Sequence, residues 1–304
     1  MSDGSHCQVL VTGGAGFIGR RIVRALLDAG HGVTVVDRRS FADERVRSVA
    51  GDLCEPATIS QALGERTDVV IHLAAITSVL RSMEDPAGTC KLNVEATFNL
   101  LEQSRHRGVR TFLLASTNAV TGDVGRATIT EKIPLRPLTP YGATKAAAEM
   151  LLASYVGSYG FQGAALRFAN VYGPGMEAKD SFVPRLMRAA RDGTGIQIYG
   201  DGNQLRDLVH VDDIVAGILT AWQAGHNGPL ILGSGESVTV NDILEAARAV
   251  TGADIPAEHV PAKPGEMPAV VIDISAARAL GYSPRVDLKA GIATVWPEFS
   301  ETAK

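Results

Sequence analysis

VLVTGGAGFIGRRIVRALLDAGHGVTVVD, residues Val9 to Asp37, reads as a buried strand, a glycine turn, an amphipathic helix and a second buried strand. Val9-Leu10-Val11 is short and apolar, as expected for a strand covered on both faces. Gly13, Gly14, Gly16 and Gly19 then crowd one turn. Without a Cβ, such a turn can bend sharply and bring its backbone against a pyrophosphate. Ile18, Ile22, Leu26 and Leu27 recur at helical spacing, and Arg20, Arg21 and Arg24 can face water. The open N–H groups and positive dipole end of that helix suit phosphates. The second strand ends on Asp37, whose carboxylate can accept from both adenosine ribose hydroxyls and would repel a 2′-phosphate, so NAD is expected over NADP. Arg38 and Arg39 pull slightly the other way. The glycines follow a strand, open a helix and precede an acid at the right distance, so dinucleotide binding is the reading.

The remaining composition narrows the class. A chain of 304 residues can bury a real core. Its net charge of −4 gives no reason to expect nucleic acid or an anionic membrane as partner. No signal peptide is visible at Met1 to Gln8, and no apolar run is long enough to span a bilayer. Cys7, Cys54 and Cys90 are too few and too scattered for a disulfide framework or a metal site, so free thiols in a cytoplasmic protein are expected.

Strands and helices go on alternating beyond Asp37. Arg47 to Ala50 reads as a strand, followed by Gly51-Asp52-Leu53; Asp52 can reach the adenine amine or cap the helix Pro56 to Leu63. Val69 to Ala75 reads as the next strand, and its small end, Leu73-Ala74-Ala75, leaves room for the cofactor's ribose and pyrophosphate. His72 sits in that apolar run as a core histidine. One long helix is expected over Thr89 to Arg107, a strand over Thr111 to Ala115, a helix over Gly142 to Ser158, and a strand over Ala164 to Phe168. This pattern is an α/β doubly wound parallel sheet, a Rossmann fold, with ligands outside the carboxyl ends of the strands. After Asn170 the alternation breaks. Residues 1–170 are therefore expected to form the NAD-binding domain, with 209–232 returning to it, while 171–208 and 233–304 form a smaller substrate-binding lobe.

Tyr141 and Lys145 are four residues apart, behind Pro140, and so share one helix face. A phenol with an ordinary pKa of about 10 is a poor base at neutral pH. A nearby ammonium and an oxidised nicotinamide both favour phenolate. Tyr141 could then take a proton from a sugar hydroxyl while hydride leaves the same carbon, and Lys145 could also hold the nicotinamide ribose. One strand earlier, Ser116-Thr117-Asn118 offers a hydroxyl at a strand end.

With these motifs in hand, the chain resembles the extended short-chain dehydrogenase/reductase family, specifically its NAD-dependent nucleotide-sugar epimerase/dehydratase branch, UDP-glucose 4-epimerases included. The matching pieces run in family order: TGGAGFIG (Thr12 to Gly19), Asp37, Gly51-Asp52-Leu53, HLAA (His72 to Ala75), Asn93, LASTNAVTG (Leu114 to Gly122), YGATK (Tyr141 to Lys145), RFANVYGPG (Arg167 to Gly175), IYGDG (Ile198 to Gly202) and RDLVHVDD (Arg206 to Asp213). The resemblance implies catalytic roles for Thr117, Tyr141 and Lys145. It implies cofactor contacts from Gly13, Gly16, Phe17, Ile18, Gly19, Asp37, Asp52, Leu53, Leu73, Ala74 and Ala75. Asn170 and Arg206 are implied to hold the nucleotide diphosphate, Tyr199 to neighbour the nucleobase, and Lys263 and Glu266 to flank the phosphate and nucleotide ribose. Thr117 is also implied to touch the sugar. No metal is implied.

Departures narrow the reaction. Family 4,6-dehydratases follow the catalytic Thr with Asp-Glu, and decarboxylases keep a Glu there; this chain has Asn118 and Ala119, neither of which can act as an acid or base. Val120-Thr121-Gly122 replaces the usual Val-Tyr-Gly. The expectation is a 4-epimerase acting on a UDP- or dTDP-hexose with NAD, as a homodimer built on the helices Thr89–Arg107 and Gly142–Ser158. An NAD(P)-dependent 4-ketoreductase or dehydrogenase, and a non-catalytic NAD- or nucleotide-sensing protein, are the alternatives.

Overall fold

The computed structural model describes residues 6–262 and 269–300. Its centre is a seven-stranded, wholly parallel sheet. The strands are β1 (Gln8–Thr12), β2 (Gly32–Asp37), β3 (Val46–Ala50), β4 (Val69–His72), β5 (Thr111–Thr117), β6 (Gln162–Phe168) and β7 (Gly228–Leu232), in the spatial order β7-β6-β5-β4-β1-β2-β3. Chain order reverses at β1, which pairs with β2 on one side (Val9 opposite Val33) and β4 on the other (Val9 opposite Val69). In such sheets the ligand crevice opens at that reversal, outside the carboxyl ends.

Successive strand residues point to opposite faces, so each face has its own core. Val9 and Val11 pack with Ile22, Val23 and Leu26 of helix α1 (Phe17–Asp28), whereas Leu10 packs on the other face with Leu100, Leu101, Ala148 and Leu152. Helix α2 (Pro140–Tyr159) covers that second face beside β5 and β6. Helix α3 (Val211–Gln223) lies against α1, and β7 then extends the sheet past β6. The remaining elements build a separate core around Tyr172, Leu186, Met187, Ile243, Ile292 and Phe299, beneath a small sheet in which Asn170–Tyr172 and Leu205–His210 run parallel.

Three sequence expectations need correction. The single helix over Thr89–Arg107 is interrupted: Pro86–Cys90 and Ala96–His106 are joined by one π-helical turn, Lys91–Glu95. The wider turn directs Asn93 inward, where it accepts from the Ile76 N–H (2.9 Å) and donates to the Ile76 carbonyl (3.0 Å) and Thr144 Oγ1 (3.0 Å). The strand expected over Val69–Ala75 stops at His72, because the Leu73–Ala75 backbone leaves the sheet to meet the glycine turn. Asp52 does not cap the helix Pro56–Leu63, whose N-cap is Glu55; its Oδ1 accepts instead from the Cys54 N–H (2.9 Å). Among the described residues no helix is long and apolar enough to cross a membrane.

Candidate active site

A cleft of about 840 Å³ lies along the carboxyl ends of β1, β2, β4 and β5. Its floor is the glycine turn. No side chain caps the N-terminus of α1, and its first turn carries no acid, which leaves an open anion-binding helix end. The turn is packed too closely for a side chain at Gly13 or Gly19. A Cβ on Gly13, which has φ +70°, would lie 2.8 Å from the Ala74 nitrogen, and one on Gly19 would lie 2.2 Å from the Gly13 carbonyl oxygen. A dinucleotide pyrophosphate fits this cradle: bare backbone on both sides and a positive helix end beneath. Asp37 closes the far end. Its carboxylate accepts from the Ala15 N–H (3.1 Å) and the Arg39 N–H (3.1 Å), while Arg39 Nη2 donates to the Ala15 carbonyl (2.9 Å). The Arg39 guanidinium is thus partly engaged by the turn itself, which weakens its claim on a 2′-phosphate.

Gly13, Gly16, Phe17, Ile18, Gly19, Asp37, Asp52, Leu53, Leu73, Ala74, Ala75, Tyr141 and Lys145 all line this one cleft. His72, behind it, is fully buried between Thr12 Oγ1 (2.7 Å) and Thr97 Oγ1 (2.9 Å). Burial, with Lys145 as a second cause, lowers it to about 3, so it stays neutral and structural.

Tyr141 and Lys145 enter from the first turns of α2, which Thr139 caps by accepting from the Gly142 N–H (3.2 Å). Lys145 is buried, and its Nζ donates to the Ala115 carbonyl at the end of β5 (2.9 Å). Burial pulls this lysine down to about 8, opposed by Glu149. Burial pushes Tyr141 up to about 12, and a hydrogen bond with Thr117 offsets only part of this. The protein's own groups therefore keep Tyr141 as the neutral phenol. Thr117 Oγ1 also accepts from the Ala119 N–H (3.2 Å), which fixes its rotamer beside Tyr141.

The diphosphate and nucleobase residues are placed elsewhere. Asn170 and Arg206 lie on the small mixed sheet, where Leu208 is opposite Asn170 and Arg206 is opposite Val238 of an antiparallel strand, but neither lines the cleft, nor does Tyr199. Asn170 Nδ2 donates to the Asp207 carbonyl (3.1 Å) and Arg206 Nη1 to the Leu205 carbonyl (2.8 Å). Lys263 and Glu266 fall outside the described residues. Conversely, the sequence reading did not single out Lys179, which lines the cleft with its ammonium 4.7 Å from the Phe17 ring centroid. It also gave no role to the buried group Ser116, Glu149 and Arg167. The spacing of Lys145 and Glu149 could have flagged one member; only the fold brings in Arg167.

A sequence profile described as the NAD dependent epimerase/dehydratase family matches residues 9–233. A dTDP-glucose 4,6-dehydratase of Streptomyces griseus is 33% identical, covering 94% of this chain and 92% of its own. A UDP-glucose 4-epimerase of Lacticaseibacillus casei is 34% identical, covering 95% of each. The crystal structure of UDP-glucose 4-epimerase from Thermotoga maritima, with UDP-glucose, superposes with a TM-score of 0.92 at 32% identity, covering 98% of this chain and 100% of that one.

Proposed function

The chain belongs to the NAD dependent epimerase/dehydratase family, and within it we propose that this enzyme is a nucleotide-sugar 4-epimerase, inverting C4 of a UDP- or dTDP-linked hexose through a transient 4-keto sugar. The observation that carries the reading is the Thr117–Tyr141–Lys145 constellation without an acid at 118 or 119. Relatives include dehydratases as well as epimerases, so similarity alone does not choose between them. Chemistry does. Elimination of water across the sugar needs an added acid and base, and Asn118 and Ala119 supply neither. Two carboxylates behind the site are committed elsewhere: Glu149 to Ser116 and Arg167, and Glu131 to the Ile231 N–H (3.0 Å).

In this reading Tyr141 Oη takes the C4 hydroxyl proton as the C4 hydrogen leaves as hydride, and returns it when the carbonyl is reduced on its other face. Thr117 hydrogen-bonds the oxygen that carries the changing charge. Lys145 keeps positive charge beneath the site. Bound NAD would supply the hydride acceptor and donor for C4; the glycine turn, Asp37 and the Leu73–Ala75 segment would hold it. Asn170 and Arg206 are assigned to the nucleotide diphosphate, where a guanidinium can make paired, charge-assisted contacts.

The test is NMR of the protein with UDP-glucose, UDP-N-acetylglucosamine, UDP-glucuronate and dTDP-glucose, with nicotinamide absorbance recorded alongside. A C4 epimer accumulating to a fixed ratio without net NADH is expected. Stoichiometric NAD(P)H oxidation with a 4-keto sugar, and no conversion without reductant, would transfer the assignment to a ketoreductase.

We also propose a cytoplasmic homodimer. On the helix expected to build it, Ala148 and Leu152 are packed in the sheet's own core and Ala146 is buried. Among the apolar side chains left exposed, Leu80 (60%), Met83 (54%) and Phe98 (45%) lie on helices packed against α2, and Met150 (67%) lies on α2 itself. Light scattering should give a dimer for the wild type and a monomer for Phe98→Asp/Met150→Asp. A monomeric wild type at working concentration refutes this.

A further inference from the structure

Beneath the cleft lies a charged group that the reaction described above leaves without a task. Glu149 sits one turn beyond Lys145 on α2, and i, i+4 side chains on a helix are neighbours. Its carboxylate accepts from Ser116 Oγ, from Arg167 Nε (3.1 and 3.2 Å) and from Arg167 Nη2 (2.8 Å). The two charged side chains are only 4% and 6% exposed. Ser116 immediately precedes Thr117 at the end of β5, and Arg167 lies near the end of β6, its Nη1 donating to the Glu131 carbonyl (3.3 Å). One carboxylate thus ties together both strand ends that flank the site and the helix that carries Tyr141 and Lys145.

Stability is a poor reason to keep it. Taking two charges out of water costs about as much as their attraction returns, and packed apolar groups commonly do as well in such places. What an apolar replacement could not do is present a negative charge to Lys145. The groups facing that lysine are few. From α2 they are Tyr141 and Glu149; from β5, the Ala115 carbonyl; from β4, His72, which is neutral. Glu149 is the anion among them.

We propose that Glu149 is a positioning residue: clamped by Ser116 and Arg167, it keeps the Lys145 ammonium charged and seated against the end of β5, so that Lys145 can serve Tyr141. The proposal rests on the catalytic assignment of Tyr141 and Lys145 above. Burial works against the ammonium and Glu149 works for it. Lys145 is charged below about 8 and loses that charge as pH rises through it, so the rate of the wild type should fall on the alkaline side. Removing the carboxylate should bring that fall to lower pH.

The direct readout is the titration of Lys145 itself in the full-length protein, labelled with ¹³C at lysine Cε and followed by NMR, the resonance being identified by its loss in Lys145→Met. Glu149→Gln is expected to lower the midpoint by roughly one pH unit or more, and to move the alkaline limb of the kcat profile by the same amount. Glu149→Gln leaves Arg167 buried without its anion and can fail to fold, so Glu149→Gln/Arg167→Met, which replaces the whole pair, is measured as well. Glu149 is the group that supports the Lys145 ammonium, so the double variant should move the midpoint in the same direction. A carboxylate that acts only on packing would lower stability and rate at every pH and leave both midpoints alone; an unchanged Lys145 midpoint in the folded variants overturns the proposal. Should Tyr141→Phe keep its rate while the midpoint still shifts, the catalytic assignment fails and the coupling of Glu149 to Lys145 stands.

Discussion

Tyr141→Phe is expected to lower kcat by about 10²- to 10⁴-fold, the range that a positioned proton-transfer group contributes, while NAD affinity and thermal stability stay close to those of the wild type. The substitution removes one oxygen atom. Tyr141 lines the cleft, and its main chain remains held by the Tyr141 N–H bond to Ser82 Oγ (3.2 Å), which phenylalanine keeps. What disappears is the oxygen proposed to receive the sugar proton, which also hydrogen-bonds Thr117. Burial holds this phenol near 12, so the side chain is stored neutral and becomes a base only as positive charge gathers around it. The measurement is single-turnover C4 exchange together with NAD titration. A variant that kept its rate would remove Tyr141 from the chemistry.

Gly19→Ala should be nearly as damaging by a different route. Its Cβ would lie 2.2 Å from the Gly13 carbonyl oxygen and 2.7 Å from the Gly14 Cα, both backbone atoms that no rotamer change can move. Relief requires α1 to slide away from the turn. Overpacking of this kind costs about 1–3 kcal/mol. If that cost falls on the geometry that meets the pyrophosphate, NAD affinity drops by about 5- to 150-fold. Calorimetric NAD titration with a thermal melt checks both parts. An alanine variant with wild-type affinity would show that the turn does not form the cofactor cradle.

How much of this could be read without coordinates depended on how local each signal was. Hydrophobic period, glycine placement and a strand-terminal acid lie within about thirty residues of one another, so the βαβ unit at Val9–Asp37 and the helix bearing Tyr141 and Lys145 were legible directly. The reading failed where packing overruled pattern. The Thr89–Arg107 segment has an unbroken helical stripe, yet a π turn opens at Asn93 because its amide finds three partners across two other segments. The helix Gly142–Ser158 was expected to build an interface, yet its Ala148 and Leu152 are consumed by the sheet's own core.

The sequence by itself determined the fold class, the glycine turn proposed to cradle the cofactor and the shared helix face of Tyr141 and Lys145, because each rests on backbone geometry or on spacing within one element. It also determined what the chain lacks, the acids at 118 and 119. Only the tertiary structure decided which groups share a dielectric environment. Glu149, Arg167 and Ser116 come from a helix and two strands, and they form one unit because parallel strands must end side by side under the helix that crosses them. Charges so far apart along the chain interact only once folding has removed the water between them, and that removal also sets the opposing shifts of Tyr141 and Lys145.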